Sequence, residues 1–176
     1  MLSQLSVAGD TTDRLETAGP DSARLDNAGL DNAGLDNAVR VYARLALGVA
    51  FLSAVAARFG LWQGTFDLEH FASFVQYTGT VNSFMPAATI PFLAWAATIT
   101  EIAFGISLTI GFRVRWVAFG SALLLALFAT AMAVSFGLQS PMDHSVYSAS
   151  ACALLLALAE SRRVRTEPVA RASSRS

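Results

Sequence analysis

Residues 116–138 read WVAFGSALLLALFATAMAVSFGL, a stretch without one charged side chain. A helix of that length rises about 34 Å, enough to cross a hydrocarbon core about 30 Å thick. Backbone N–H and C=O groups find no water partner in lipid, so a span of this kind must be helical. A helix at a soluble surface would carry a polar face, and this one has none. The stretch therefore places the chain in a membrane.

Three further apolar runs flank it. Val41–Trp62 is interrupted by Arg44 and Arg58, Pro86–Ile110 by Glu101, and Pro141–Ala159 carries Asp143 and His144 in its first turn. The sequence thus predicts an all-α fold, an integral membrane four-helix bundle with spans at about 41–62, 86–110, 116–138 and 141–159. Composition agrees: 54% of the 176 residues are hydrophobic and 14% charged, against about a quarter charged in a soluble domain.

The charges are unevenly placed. Residues 1–38 carry seven acids and two arginines, residues 161–176 carry five arginines and one acid, and the residues between are balanced. The bundle domain accordingly covers 39–160, with both ends expected as disordered tails. The head repeats Leu25-Asp-Asn-Ala-Gly29, Leu30-Asp-Asn-Ala-Gly34 and Leu35-Asp-Asn-Ala38, too few copies to bury a core. Its acidity and lack of an apolar stretch exclude a secretory signal and a transit peptide. All twelve basic residues are Arg, scattered between apolar runs, which leaves no basic face for nucleic acid. The expected partner is the lipid bilayer.

Orientation follows from the arginines. Arg40 and Arg44 precede the first span, Arg113 and Arg115 lie between the second and third, and Arg162, Arg163 and Arg165 follow the fourth. Four spans put these places on one side, and residues 63–85 and 139–140 on the other contain no Lys or Arg. The positive-inside rule then puts both termini in the cytoplasm. In residues 67–77, Leu68, Phe71, Ala72 and Val75 recur at helical spacing, predicting an amphipathic helix on the outer leaflet.

Ionisable groups inside spans are the candidate functional residues. Arg44, Gly48, Phe51, Val55, Arg58 and Trp62 share one face of the first span; Ala94, Thr98, Glu101, Gly105 and Leu108 share one face of the second. Counted from the cytoplasmic ends, Arg44 lies at about 5 Å, Glu101 at about 14 Å and Arg58 at about 25 Å depth. Arg44 is then the expected partner of Glu101, with Arg58 snorkelling to outer headgroups. Glu101, Arg44, Arg58 and Thr98 form a candidate intramembrane polar pocket, read either as a packing ion pair or as a site for a small ligand, quinone headgroup or proton. His144, Tyr147, Asp143 and His70 form a candidate polar cluster at the outer face. Two histidines without a ligand motif predict no metal site. Cys152 is the only cysteine, which argues against thiol-exchange chemistry and an internal disulfide.

Arg44-Leu-Ala-Leu-Gly48-Val-Ala-Phe51-Leu-Ser53, closing on Arg58-Phe-Gly60, resembles the first span of the DoxX family of small four-helix membrane proteins. Glu101-Ile-Ala-Phe-Gly105-Ile-Ser-Leu108-Thr-Ile-Gly111-Phe-Arg113-Val-Arg115 is similar to that family's acid, glycine, leucine, glycine, basic-turn segment. The resemblance covers about residues 40–160. It implies a four-helix membrane fold and an association with redox systems, since members include a subunit of a thiosulfate:quinone oxidoreductase. On that basis the expected role is a membrane subunit or anchor of a quinone-linked redox system, with quinone as cofactor and soluble or membrane redox subunits as partners. The alternative is a non-enzymatic small-solute carrier or a structural scaffold. The topology has a direct check: a reporter active only outside the cytoplasm, fused after Ser176, should be silent, and a strong signal would sink the assignment.

Overall fold

The computed structural model describes the backbone of residues 20–64 and 66–173, and side chains between 32 and 163 except at 65. The described residues form helices α1 (Pro20–Arg58), α2 (Leu68–Val81), α3 (Ile90–Ile110), α4 (Val114–Phe136), α5 (Gln139–Asp143) and α6 (Val146–Ser173), with 3-10 turns at Leu61–Gln63 and Ala87–Thr89. The chain divides into two units at Val39/Arg40, and the second carries the bundle. Among the described residues, three helical stretches are long and apolar enough to cross a membrane: Asn32–Arg58, Ala87–Ile110 and Val114–Phe136.

The fourth expected span is built differently. In place of one helix from Pro141, α5 ends at Asp143, Ser145 takes a left-handed conformation (φ 54°), and α6 starts at Val146. The apolar part of α6, residues 146–159, is about 21 Å long. Both expected tails also join helices: α1 takes in the Leu-Asp-Asn-Ala repeats from residue 20, and α6 continues through residues 161–173. Extending an existing helix needs no new nucleus, which is the costly step. Residues 1–19 and 174–176 lie outside the described residues.

Packing is sorted by side-chain size. One buried cluster joins Leu47 and Phe51 of α1, Leu108 of α3, Ala118 and Ala122 of α4, and Ala153, Leu156 and Ala157 of α6. Small residues let α6 lie close on α4, where the Ser150 hydroxyl donates to the Ala122 carbonyl at 2.8 Å. Large apolar side chains point the other way: Phe92, Ile99 and Ile110 on α3, and Trp116, Leu123, Leu127 and Val134 on α4, are all exposed. Such an arrangement suits lipid around the bundle, because hydrocarbon solvates these side chains as well as a core would.

Two glycines set the register of α1 on α3. A Cβ at Gly48 would stand 2.6 Å from Thr109 Oγ1 and 3.0 Å from the Gly105 carbonyl oxygen; one at Gly105 would meet Leu52 Cγ at 2.8 Å. The helices run antiparallel through this contact, so Arg44 lies beside Gly111 and Arg58 beside Thr98 and Glu101. Thr98 and Glu101 stand about 12 and 17 Å along α3 from Ile90. The helical part of α1 therefore stops well short of the level where α3 begins. Gly60 (φ 71°) and Gly64 (φ 79°) turn the chain there, and α2 follows.

α2 packs against α3 and α4, where the sequence predicted a helix lying on the outer leaflet. Phe71 is buried, 4.4 Å from Trp95 and stacked at 5.3 Å on Phe59. At the far end of α2 the Ser135 hydroxyl donates to the Val81 carbonyl. The helix forms as its amphipathic pattern predicts, but of the apolar face only Phe71 is buried against protein, Val75 is half-buried, and Leu68 and Ala72 are exposed. Replacing Gly48 or Gly105 by Val should lower stability in detergent by about 1–3 kcal/mol through overpacking. Gly34→Ala, where a Cβ meets nothing within 4 Å, should be neutral or stabilising by up to about 1 kcal/mol; thermal unfolding of purified protein checks both.

Candidate functional site

Glu101 is 2% exposed in the middle of α3, on the stripe that also buries Ala94, Thr98, Gly105 and Leu108. A carboxylate there needs a cation, and it has Arg58. Arg58 Nη2 lies 2.8 Å from both carboxylate oxygens and donates a hydrogen bond to Oε1. Arg58 Nη1 donates to Thr98 Oγ1 at 3.1 Å, and Thr98 in turn donates to the Ala94 carbonyl one turn back. The guanidinium carbon sits 3.8 Å above the Phe74 ring of α2, a cation–π contact whose value rises in a desolvated site. The arginine is thus held by a carboxylate, a hydroxyl and an aromatic face from two neighbouring helices.

This corrects the expected pairing: Arg58, and not Arg44, partners Glu101. The reason is the tilt of Cα–Cβ bonds toward the N-terminus of their own helix. With α1 and α3 antiparallel, Arg58 leans down toward Glu101 while Glu101 leans up toward Arg58. Arg44 leans away from both. Its guanidinium lies against Gly111, with Nη1 2.6 Å from where a Cβ would stand, near the C-terminal end of α3 where a cation is favoured. Depth counted from span ends missed this, since it ignored both the tilt and the early end of α1.

Glu101 Oε2 is buried without an aligned hydrogen bond, the second oxygen of the pair being met only by the shared Nη2. Arg58 and Glu101 line a cavity of about 810 Å³ whose wall is otherwise mostly apolar, including Phe51, Phe74, Leu124 and Phe128. Tyr77, Asn82 and His144 also face it. Sequence reasoning missed Phe74, Tyr77 and Asn82, which came from a segment predicted to lie on the membrane surface; only the docking of α2 brings them here.

The outer-face candidates do not form one group. His70 Nδ1 is 3.4 Å from Asp67 Oδ2, at the start of its own helix, where Asp67 also accepts from the Glu69 N–H. His144 Nδ1 is 2.9 Å from the Ser140 carbonyl oxygen at the end of α5. Asp143 and Tyr147 are exposed. Among the described residues no three His, Cys, Asp or Glu side chains converge as a metal site would require. Of the four, His144 alone lines the cavity.

A family model described as "Methylamine utilisation protein MauE" matches residues 36–143. The chain belongs to the MauE family. The match is to a small integral membrane family, as the sequence resemblance implied, but to MauE and not to DoxX. No curated protein and no solved structure matches the chain. The stretch matching MauE runs from within α1 to the end of α5 and so contains Arg58, Phe74, Thr98 and Glu101, whereas α6, with Tyr147, falls outside it.

Removing one member of the ion pair should show how tightly the three helices depend on it. Arg58→Met and Glu101→Leu each strand a buried charge and should cost about 3–5 kcal/mol, whereas the double variant should recover most of that loss. Unfolding of the two single variants and the double variant in detergent measures the coupling directly.

Proposed function

We propose that this MauE-family protein is a membrane component of a quinone-linked redox system, and that its cavity holds a lipid-soluble redox carrier by the polar head. The observation that carries the reading is a charged pair in a mostly apolar wall: Arg58 and Glu101 line about 810 Å³ of space, with Tyr77, Asn82 and His144 as further polar side chains facing it. Cavities of this size lined by apolar side chains and a few placed polar groups are the usual form of a small-molecule site. A polar head of the carrier would be held at the Arg58–Glu101 pair, where both side chains line the wall. Such a carrier would supply two-electron, two-proton redox chemistry; Glu101 would hold one of the two protons released and the other would pass to water. Arg58 keeps the Glu101 carboxyl oriented.

Three further considerations support this. The family's description concerns methylamine utilisation, and using an amine as a growth substrate entails its oxidation. The segments 44–60 and 101–115, which resemble the redox-associated DoxX family, contribute both members of the ion pair. The arginines Arg40, Arg44, Arg113 and Arg115 lie at one end of the bundle, and the connections at the other end, residues 59–67, 82–89 and 137–145, contain none. That asymmetry fits a bacterial inner membrane with both termini cytoplasmic, the cavity's His144 side facing out.

The test is extraction of the purified protein with organic solvent and mass spectrometry of what it releases. A quinone should co-purify with the wild type. Glu101→Gln, folded and inserted normally, should retain about tenfold less, as expected for loss of one charge-assisted hydrogen bond. Wild-type protein free of quinone would overturn the reading, and Glu101→Gln failing to assemble would mark the pair as structural.

A further inference from the structure

The arginine end of the bundle carries a second pocket, of about 410 Å³, lined by Gly111, Arg113, Val114, Arg115, Trp116 and Glu160. It lies at the turn from α3 to α4, across the bundle from the Arg58 site. Arg113 is the residue before α4 and takes a left-handed conformation (φ 43°), with no side chain capping the helix. The helix ladder starts with the Trp116 N–H, which donates to the Arg113 carbonyl at 2.9 Å. The N–H groups of Val114 and Arg115 therefore precede the ladder, where a helix is partially positive.

Two more guanidinium groups lie against residues of this pocket without lining it themselves. Arg44 lies over Gly111, and Arg40 Nε is 4.0 Å from Glu160 Oε1. The Nε atoms of both Arg40 and Arg44 are buried and make no hydrogen bond. Two cations thus stand in the pocket wall and two more behind it, against the single carboxylate of Glu160. Such a surplus calls for a multivalent anion with several acceptor oxygens, which is the chemistry of a phosphate ester. The pocket's rim is apolar and outward-facing: Phe112 and Trp116 are exposed, and Arg115 Cζ sits 4.9 Å from the Trp116 ring centre. Exposed Trp and Phe beside arginines mark the headgroup level of a bilayer.

We infer that this pocket binds the phosphate of an anionic phospholipid, held by Arg113 and Arg115 at the N-terminus of α4 and backed by Arg40 and Arg44. The occupant would tie the α3–α4 turn to the leaflet on the arginine side. Glu160 sets the limit of the site, since its carboxylate repels an anion and orients Arg40.

Native mass spectrometry and thermal unfolding of the full-length protein test this, in micelles doped with phosphatidylglycerol, phosphatidylcholine or inorganic phosphate. Phosphatidylglycerol should be retained and stabilising; phosphatidylcholine should not. Arg113→Gln/Arg115→Gln should weaken phosphatidylglycerol retention by about 10- to 30-fold, and the Arg113→Lys/Arg115→Lys variant should keep most of it. Arg162→Gln/Arg163→Gln removes equal charge from α6 and should change it little. An equal loss in both Gln pairs would reduce the effect to general surface charge and overturn the site. Stabilisation by inorganic phosphate as large as by phosphatidylglycerol would overturn the lipid assignment.

Discussion

A carboxylate in the middle of a membrane helix is tolerated only with a partner, and in this protein the partner's position organises the neighbouring elements. Glu101 is shut away from solvent on α3, so Arg58 must reach it; the two are 2.8 Å apart. That places the end of α1 beside the middle of α3 and leaves the layer above it to be filled by other chain. The turn with Gly60 and Gly64 and then α2 fill it, and α2 brings Phe74 over the guanidinium. The stacked group Phe59, Phe71 and Trp95 closes the side. Desolvating two charges is expensive and is offset only when geometry and hydrogen bonding are good. Here a hydroxyl, a ring and two carboxylate oxygens supply them.

The same pair gives the cavity its chemistry. Bundles in lipid pack through small residues, and α4 and α6 do so with alanines and serines along their contact. On the other side of α4, the larger residues of α1, α2 and α3 do not close on one another and leave the 810 Å³ space. A packed ion pair and a ligand site are therefore compatible in one place: both oxygens of Glu101 lie against Arg58 Nη2, and both side chains still line the cavity. The arginine end has the opposite character, with cations in excess and one acid among them. The bundle is chemically polar along its length, a mostly apolar cavity toward one end and a cationic rim at the other.

The class of fold was legible because it depends on local composition. The uncharged run at 116–138 and the small-residue stripe Ala94, Thr98, Glu101, Gly105 and Leu108 are patterns along single helices, and the structure buries that whole stripe. The amphipathic segment at 67–77 was also legible as a helix, with Asp67 as its cap. What it packs against was not, since an apolar face reads alike whether it meets lipid or protein. Likewise the break at Ser145 was not foreseen: the polar run Asp143, His144 and Ser145 reads equally as the first turn of one helix or as the end of a shorter one.

The sequence by itself determined that the chain is a helical membrane protein, that Glu101 faces the bundle, and that the arginines gather toward one end. Each follows from the chemistry of residues close together in the chain. Only the tertiary structure decided that Arg58 rather than Arg44 answers Glu101, and that Phe74 covers the pair. Those outcomes depend on how far α1 slides along α3, which Gly48 and Gly105 fix by close contact, and on the direction in which side chains lean once two helices run antiparallel. Neither quantity exists until the helices meet.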